Sequence, residues 1–145
     1  LTKIKIKCNT CNSIFEQKPG DHIFGNGCPI CKFSKGENKC IKILKTIENI
    51  KDIIPQFKIK NCKNIFPLPF DFKVTLNNNK YFLIEYQGRQ HYDKNSWFSE
   101  NLKDIQMRDK IKYDYCKNNN INLLLIKYTD FNNIENIIKD FIENL

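Results

Sequence analysis

The chain has 145 residues, 41% of them hydrophobic, enough for one ordinary domain with a small appendage and too many for wholesale disorder. No run approaches the roughly 18 apolar residues of a membrane span, and no signal-peptide pattern opens the chain. The net charge of +8, from 24 Lys and Arg against 16 Asp and Glu, favours a polyanionic partner by counterion release, with nucleic acid the commonest such partner.

The excess is uneven, because residues 1–36 hold six Lys and only two acids. Coding bias offers a plainer origin: Lys, Asn and Ile dominate, as an AT-rich genome would produce, and the only arginines are Arg89 and Arg108. Seven cysteines without a secretion signal point to an intracellular, reducing compartment, where paired thiols hold metal more often than they form disulfides. A start at Leu1 rather than Met is expected of a fragment of a longer protein.

In chain order, residues 1–33 form a short, cysteine-punctuated segment with a basic strand-like start (Lys3, Ile4, Lys5, Ile6, Lys7), and the remainder, 34–145, forms the main domain. Ser34 precedes a helical stretch to about Asp52, with an apolar stripe at Cys40/Ile41, Leu44, Ile47 and Ile50/Ile54. Gln56 to Lys60 is a first strand. Phe70 to Leu76 alternates, with Phe70, Phe72, Val74 and Leu76 on one face and Asp71, Lys73 and Thr75 on the other. Asn77 to Asn79 is a turn, and Tyr81 to Gln87 returns as the second strand of a hairpin. Ser99 to Lys117 reads as helix, broken by Asn118 to Asn120. A buried strand over Ile121 to Lys127 and a last helix over Asn132 to Asn144 complete an α-β-β-β-α-β-α order. This is an α/β chain with a mixed sheet flanked by helices.

Cys8-x2-Cys11 and Cys28-x2-Cys31 stand 16 residues apart. Two thiolates on one tight turn face one ion, and a second such turn completes a tetrahedral zinc site. A segment of some thirty residues buries too little to fold alone, so the metal holds it together. His22 is a competing ligand, but four cysteines already fill the shell. Cys40, Cys62 and Cys116 fall on apolar positions and read as small buried hydrophobes.

Acids appear where periodicity wants apolar residues. Alternation puts Tyr81, Leu83, Glu85 and Gln87 on one face, so Glu85 is an acid within the apolar run Leu83-Ile84-Glu85-Tyr86. The following helix carries Phe98, Leu102, Ile105, Asp109, Lys112 and Cys116 on one stripe. Asp71 and Glu85, on adjacent strands, can share a hard divalent cation, magnesium or manganese, that activates water for attack on a phosphate. His91 suits a general base or leaving-group acid, Gly88 a close backbone approach, and Lys112 the stabilisation of phosphorane charge. Plainer readings stand beside these. Glu37 in Ser34-x-x-Glu37 is as well explained by a capping box as by catalysis, Asp71 by the exposed side of a strand, and Asp109 with Lys112 by an i,i+3 ion pair.

The segments Leu68-Pro69-Phe70-Asp71-Phe72, Ile84-Glu85-Tyr86-Gln87-Gly88-x-Gln90-His91-Tyr92 and Arg108-Asp109-x-x-Lys112-x-x-Tyr115-Cys116 resemble PD-(D/E)xK nucleases. They look closest to the homing and very-short-patch-repair-like branch of phages and large DNA viruses, and Gly27-Cys28-Pro29-x-Cys31-x-x-Ser34-Lys35-Gly36-Glu37 is similar to the junction after that branch's cysteine knuckle. The resemblance spans nearly all of residues 8–128. It implies a restriction-endonuclease-like αβββαβ core with a four-cysteine zinc knuckle made by Cys8, Cys11, Cys28 and Cys31. It further implies Asp71 and Glu85 as metal ligands, Glu37 as an additional helix-borne acid, and His91 and Asp109 as an extra pair. Position 87 departs from the motif: Lys is expected and Gln87 stands there, which can orient a water but carries no charge.

The expected function is metal-dependent hydrolysis of double-stranded DNA. Zinc is structural, magnesium or manganese catalytic, and Lys3, Lys5, Lys7, Lys18, Lys32, Lys35 and Arg89 contact phosphates. Tyr92, Trp97 and Phe98 either stack on bases or pack beneath a loop. Two alternatives are a non-catalytic zinc-containing DNA-binding module on a decayed nuclease fold, and a nuclease acting on RNA or branched DNA. No small-molecule cofactor and no membrane partner is expected, and oligomeric state, recognition sequence and nick versus double-strand break are not legible.

Overall fold

Alternation decides the centre of the molecule. In the computed structural model, which describes residues 2–9, 12–29, 31–92 and 102–145, the strand Pro67–Leu76 buries every second side chain, from Leu68 to Leu76. With Tyr81–Gln87 it forms the hairpin expected from the sequence. The Asn77 to Asn79 turn closes it, with Asn79 at a φ of 65° and its N–H donating to Leu76 O at 2.9 Å.

The described elements are β1 (Ile4–Lys7), β2 (Ile14–Gln17), α1 (Pro19–Ile23), α2 (Lys35–Leu44), β3 (Ile50–Lys63), β4 (Pro67–Leu76), β5 (Tyr81–Gln87), α3 (Leu102–Asn118), β6 (Leu123–Lys127) and α4 (Ile134–Glu143). Short 3-10 turns cover Arg89–His91 and Tyr128–Asn133. Two compact units result, Leu1–Asn38 and Lys39–Leu145, with the division inside α2. The first contains the antiparallel pair β1-β2.

The second unit is a mixed α/β fold whose sheet has the order β3-β4-β5-β6, antiparallel except for the parallel β5-β6 pair. A parallel neighbour needs a crossover, and α3 supplies it. Leu83 packs with Phe70, Cys62 and Cys116 of α3, whereas its chain neighbour Phe82 meets Phe141 of α4, ring centroids 5.2 Å apart. Successive strand residues point to opposite faces, so α3 and α4 flank opposite sides of the sheet. Asn120 stops α3: at a φ of 53° it lets the Ile121 N–H reach Cys116 O at 2.9 Å, the bond of a Schellman end.

Besides β6, which starts at Leu123 rather than Ile121 and buries only alternate residues, with Leu125 39% exposed, three expectations about extent change. The helix after Ser34 ends at Leu44 rather than near Asp52, because the chain tightens through Thr46 N–H to Ile43 O and Ile47 N–H to Leu44 O, while Thr46 Oγ1 also donates to Ile43 O. Ile50 and Ile54 therefore belong to a strand, not to the helical stripe. That strand, β3, runs 14 residues rather than the five of Gln56 to Lys60. It continues through Pro55, which a strand tolerates at a sheet edge where no N–H is required, and through Gln56, whose φ of 51° is left-handed. Third, the last helix begins at Ile134, after a 3-10 turn that includes Asn132 and Asn133. The expected helix start at Ser99, and Trp97 and Phe98, lie outside the described residues.

Candidate functional site

The cysteine cluster lies in the first unit. The turn after β1 presents Cys8, whose N–H donates to Ser13 O at 2.8 Å and whose carbonyl accepts from Asn12 N–H at 2.9 Å. The Sγ atoms of Cys8, Cys28 and Cys31 all lie within 4.8 Å of one another, and those of Cys8 and Cys31 are 3.6 Å apart. Tetrahedral zinc with bonds of about 2.3 Å separates its sulfurs by about 3.8 Å, so the three thiols fit three corners of such a site. Cys11 lies outside the described residues. His22 is engaged elsewhere, its Nδ1 3.1 Å from Gln17 Oε1. Among the described residues no disulfide forms, and no helix is long and apolar enough to cross a membrane.

The acidic constellation lies in the second unit, where β4 and β5 stop pairing. Their ladder ends at Phe72↔Ile84. Beyond it Asp71 continues with its side chain, Oδ2 accepting the Tyr86 N–H at 2.6 Å. Glu85, one residue before Tyr86, is buried at the end of the continuous buried run Phe82 to Glu85. Lys112 of α3 reaches across the unpaired ends, donating to Glu85 Oε1 at 2.7 Å and to Pro69 O at 3.0 Å. Both side chains are nearly sequestered, 11% and 7% exposed. Burial pushes the Glu85 carboxyl up from its ordinary value, while the Lys112 ammonium pulls the other way.

One turn earlier on α3, Asp109 Oδ2 meets His91 Nδ1 at 2.6 Å. Asp109 and Lys112 thus serve different partners and do not pair with each other, which corrects the i,i+3 reading. With Nδ1 turned to a carboxylate, Nε2 becomes the imidazole's other working atom. Gln87 lies next along the strand face, its Oε1 accepting the Tyr92 hydroxyl. Tyr92 itself lies beside Tyr128 at 5.9 Å and near the Lys127 ammonium at 5.7 Å, and it is 41% exposed. Glu85 and Gln87 of β5, Asp109 and Lys112 of α3, and Leu123 and Leu125 of β6 line one cavity of about 200 Å³. Asp71 is not among the residues lining it.

Glu37 forms the capping box: its Oε2 accepts the Ser34 N–H at 2.8 Å, and its own N–H donates to Ser34 Oγ at 3.2 Å. Lys3, Lys5, Lys7, Lys18, Lys32 and Lys35 are all exposed in the first unit, and Arg89 is exposed after β5. Gly88 has a φ of −67°, so the left-handed region is not the reason for glycine there, but a Cβ at this position would run into the Gln90 side-chain amide.

Sequence reasoning treats Cys62 and Cys116 only as buried hydrophobes. They are buried, but both also feel the charges of Glu85 and Lys112, and burial pushes the Cys116 thiol up to about 11. The Pro69 carbonyl, a second anchor for Lys112, also escapes it. No periodicity marks a backbone acceptor on a strand more than forty residues away.

No protein-family model matches the chain, and no curated protein matches it. What the structure defines is therefore a class: a cysteine cluster suited to a metal ion, joined to a mixed α/β unit with a buried acid–lysine pair beside a histidine–aspartate pair.

Proposed function

We propose that the second unit is a metal-dependent phosphodiesterase acting on double-stranded DNA, and that the zinc-bound first unit assists binding. The observation carrying the proposal is Glu85: an acid buried in the middle of a strand, neutralised by Lys112, with Asp109 and its partner His91 beside it. Burying an acid and a lysine in place of two apolar residues rarely adds stability, so a functional reason is the economical one.

Asp71 and Glu85 would hold the divalent cation with waters in its remaining positions, as magnesium commonly binds. Among the described residues no group of three or more carboxylate, imidazole or thiol ligand atoms gathers around Asp71 or Glu85. Bound there, the cation would polarise a phosphate and acidify a water. The chain's own groups do the rest. His91, oriented by Asp109, takes or returns a proton at Nε2. Lys112 holds Glu85 in place and bridges β4 to β5, a role in which it substitutes for the missing charge at Gln87. The basic surface of the first unit positions the duplex by phosphate contacts.

A second reading rests on the same pair. Lys112 already neutralises Glu85 and Asp71 Oδ2 already accepts a backbone N–H, so the site also fits a DNA-binding module that no longer cleaves.

Supercoiled plasmid, incubated with the protein in magnesium, manganese or EDTA beside Asp71→Asn and Glu85→Gln, separates the two. Metal-dependent nicking or linearisation, lost in both variants while their melting temperatures hold, supports the phosphodiesterase. Binding in gel shifts with no cleavage of plasmid, viral DNA or RNA in any metal refutes it in favour of the binding module.

A further inference from the structure

The distal half of the β3–β4 hairpin extends beyond the β4–β5 ladder, from the Phe57↔Phe70 pair to Lys63↔Pro67. Its inner side is anchored: Phe57, Ile59, Cys62 and Phe70 pack with Ile111, Tyr115 and Cys116 of α3. Its outer side alternates against these with exposed Lys58 and Lys60, and Lys63 is exposed near the end. Between Ile53 and Phe70 there are three lysines beyond the β4–β5 ladder and no acid. The ladder slips between Lys58 and Lys63, where β3 carries three more residues than β4.

At the tip, Ile65 and Phe66 are 79% and 77% exposed. Single exposed apolar residues are ordinary. Two large neighbours, bare at the end of an acid-free basic arm, are not. A second observation joins them to the site. Arg108 of α3 lines a cavity of about 260 Å³ with both tip residues, and the next residue, Asp109, holds His91. The tip and the acidic constellation therefore meet the same turn of α3 through neighbouring residues.

We propose that this hairpin is a duplex-probing arm whose apolar tip, Ile65 and Phe66, wedges between base pairs of double-stranded DNA while Lys58, Lys60, Lys63 and Arg108 take the flanking phosphates. The inference rests on the DNA-binding reading above and deepens it. Positive charge on the stem selects a polyanion over an apolar protein partner. A two-stranded ribbon fits a duplex groove, and aliphatic and aromatic wedges are the side chains that unstack base steps and kink the duplex.

The test uses a DNA duplex of about three helical turns, rich in the easily kinked TA and CA steps, labelled at both ends, in EDTA so that no cleavage intervenes. Energy transfer between the labels reports bending, and anisotropy reports binding across a salt series. The full chain raises the transfer. I65S/F66S binds within about threefold of the unchanged protein yet loses most of that rise, with its melting temperature unaltered. K58A/K60A weakens binding and lowers the slope of log affinity against log salt by up to about two, one per phosphate contact released. Equal bending by I65S/F66S and the unchanged protein overturns the wedge and leaves DNA binding intact. So does loss of a dimer on sedimentation of the tip variant, which would make a second copy the occupant. No binding of any duplex by the unchanged protein overturns both the arm and the DNA reading.

Discussion

Lys112→Met isolates the buried pair at the centre of the site. The substitution keeps the length and apolar stem of Lys112, including its packing near the Phe70 ring, but deletes the ammonium. Glu85 is then left charged in a place that is 7% exposed, and the Pro69 carbonyl loses its donor. Removing one partner of a buried ion pair costs about 3–5 kcal/mol, a large share of the roughly 5–15 kcal/mol that holds a domain together. For a unit of this size that lowers the melting temperature by on the order of 15–25 °C. E85Q/K112M removes both charges and should recover most of the loss, a coupling of about 2–3 kcal/mol in the double-mutant cycle. The pH dependence follows from the sign of the Glu85 shift. Without Lys112 its folded value rises further above the ordinary glutamate value of about 4.3, so the native state binds the extra proton. Stability then falls as pH rises above that value, and the deficit of Lys112→Met relative to the unchanged chain shrinks as pH is lowered toward it. Urea unfolding in saturating zinc, followed by circular dichroism from about pH 4.5 to 8, measures both. A deficit under about 1 kcal/mol at the alkaline end, or a double variant no more stable than Lys112→Met, refutes the pairing as described.

Three further outcomes are expected. Asp109→Asn leaves His91 in place but no longer favours the tautomer that donates from Nδ1, so cleavage falls about 10²–10⁴-fold with little change in melting temperature; unchanged rates and an unchanged pH–rate profile would remove the His91–Asp109 pair from the chemistry. Glu37→Gln preserves the capping box, since Gln also serves at that position. It should alter stability by only a few tenths of a kcal/mol and leave cleavage intact, whereas a hundredfold loss of cleavage would restore Glu37 as a catalytic acid. Zinc removal by a strong chelator should unfold β1 and β2 and open Cys8, Cys28 and Cys31 to iodoacetamide, while Cys116, with its thiol pushed up to about 11, keeps a thiolate fraction of about one in a thousand at about pH 8 and stays unlabelled. Labelling of Cys116 in step with the cluster, read by peptide mass, would contradict that burial.

Local pattern determined a good deal of this protein by itself. The paired-cysteine spacing announced the cluster, the Ser34 to Glu37 interval announced a helix start, and the apolar run Leu83-Ile84-Glu85-Tyr86 marked Glu85 as an acid in an apolar setting before any fold was known. The stripe through Leu102, Lys112 and Cys116 held because a helix repeats its face every 3.6 residues whatever surrounds it. Periodicity names a face, though, and not the partner that meets it. Asp109 and Lys112 lie three residues apart and looked like one ion pair, but the approach of β5 sends Lys112 to Glu85 and Asp109 to His91. Likewise Ile47, Ile50 and Ile54 continue a helical spacing through a stretch that turns and becomes strand. The pairing of β3 with β4 along the sheet edge outweighs local propensity there, and Pro55 is tolerated because β3 is the outermost strand of the sheet. The exposed tip at Ile65 and Phe66, and its nearness to Arg108, depend on register and on where one ladder outlasts the next. Those are decided between segments far apart in the chain, which is why only the tertiary structure contains them.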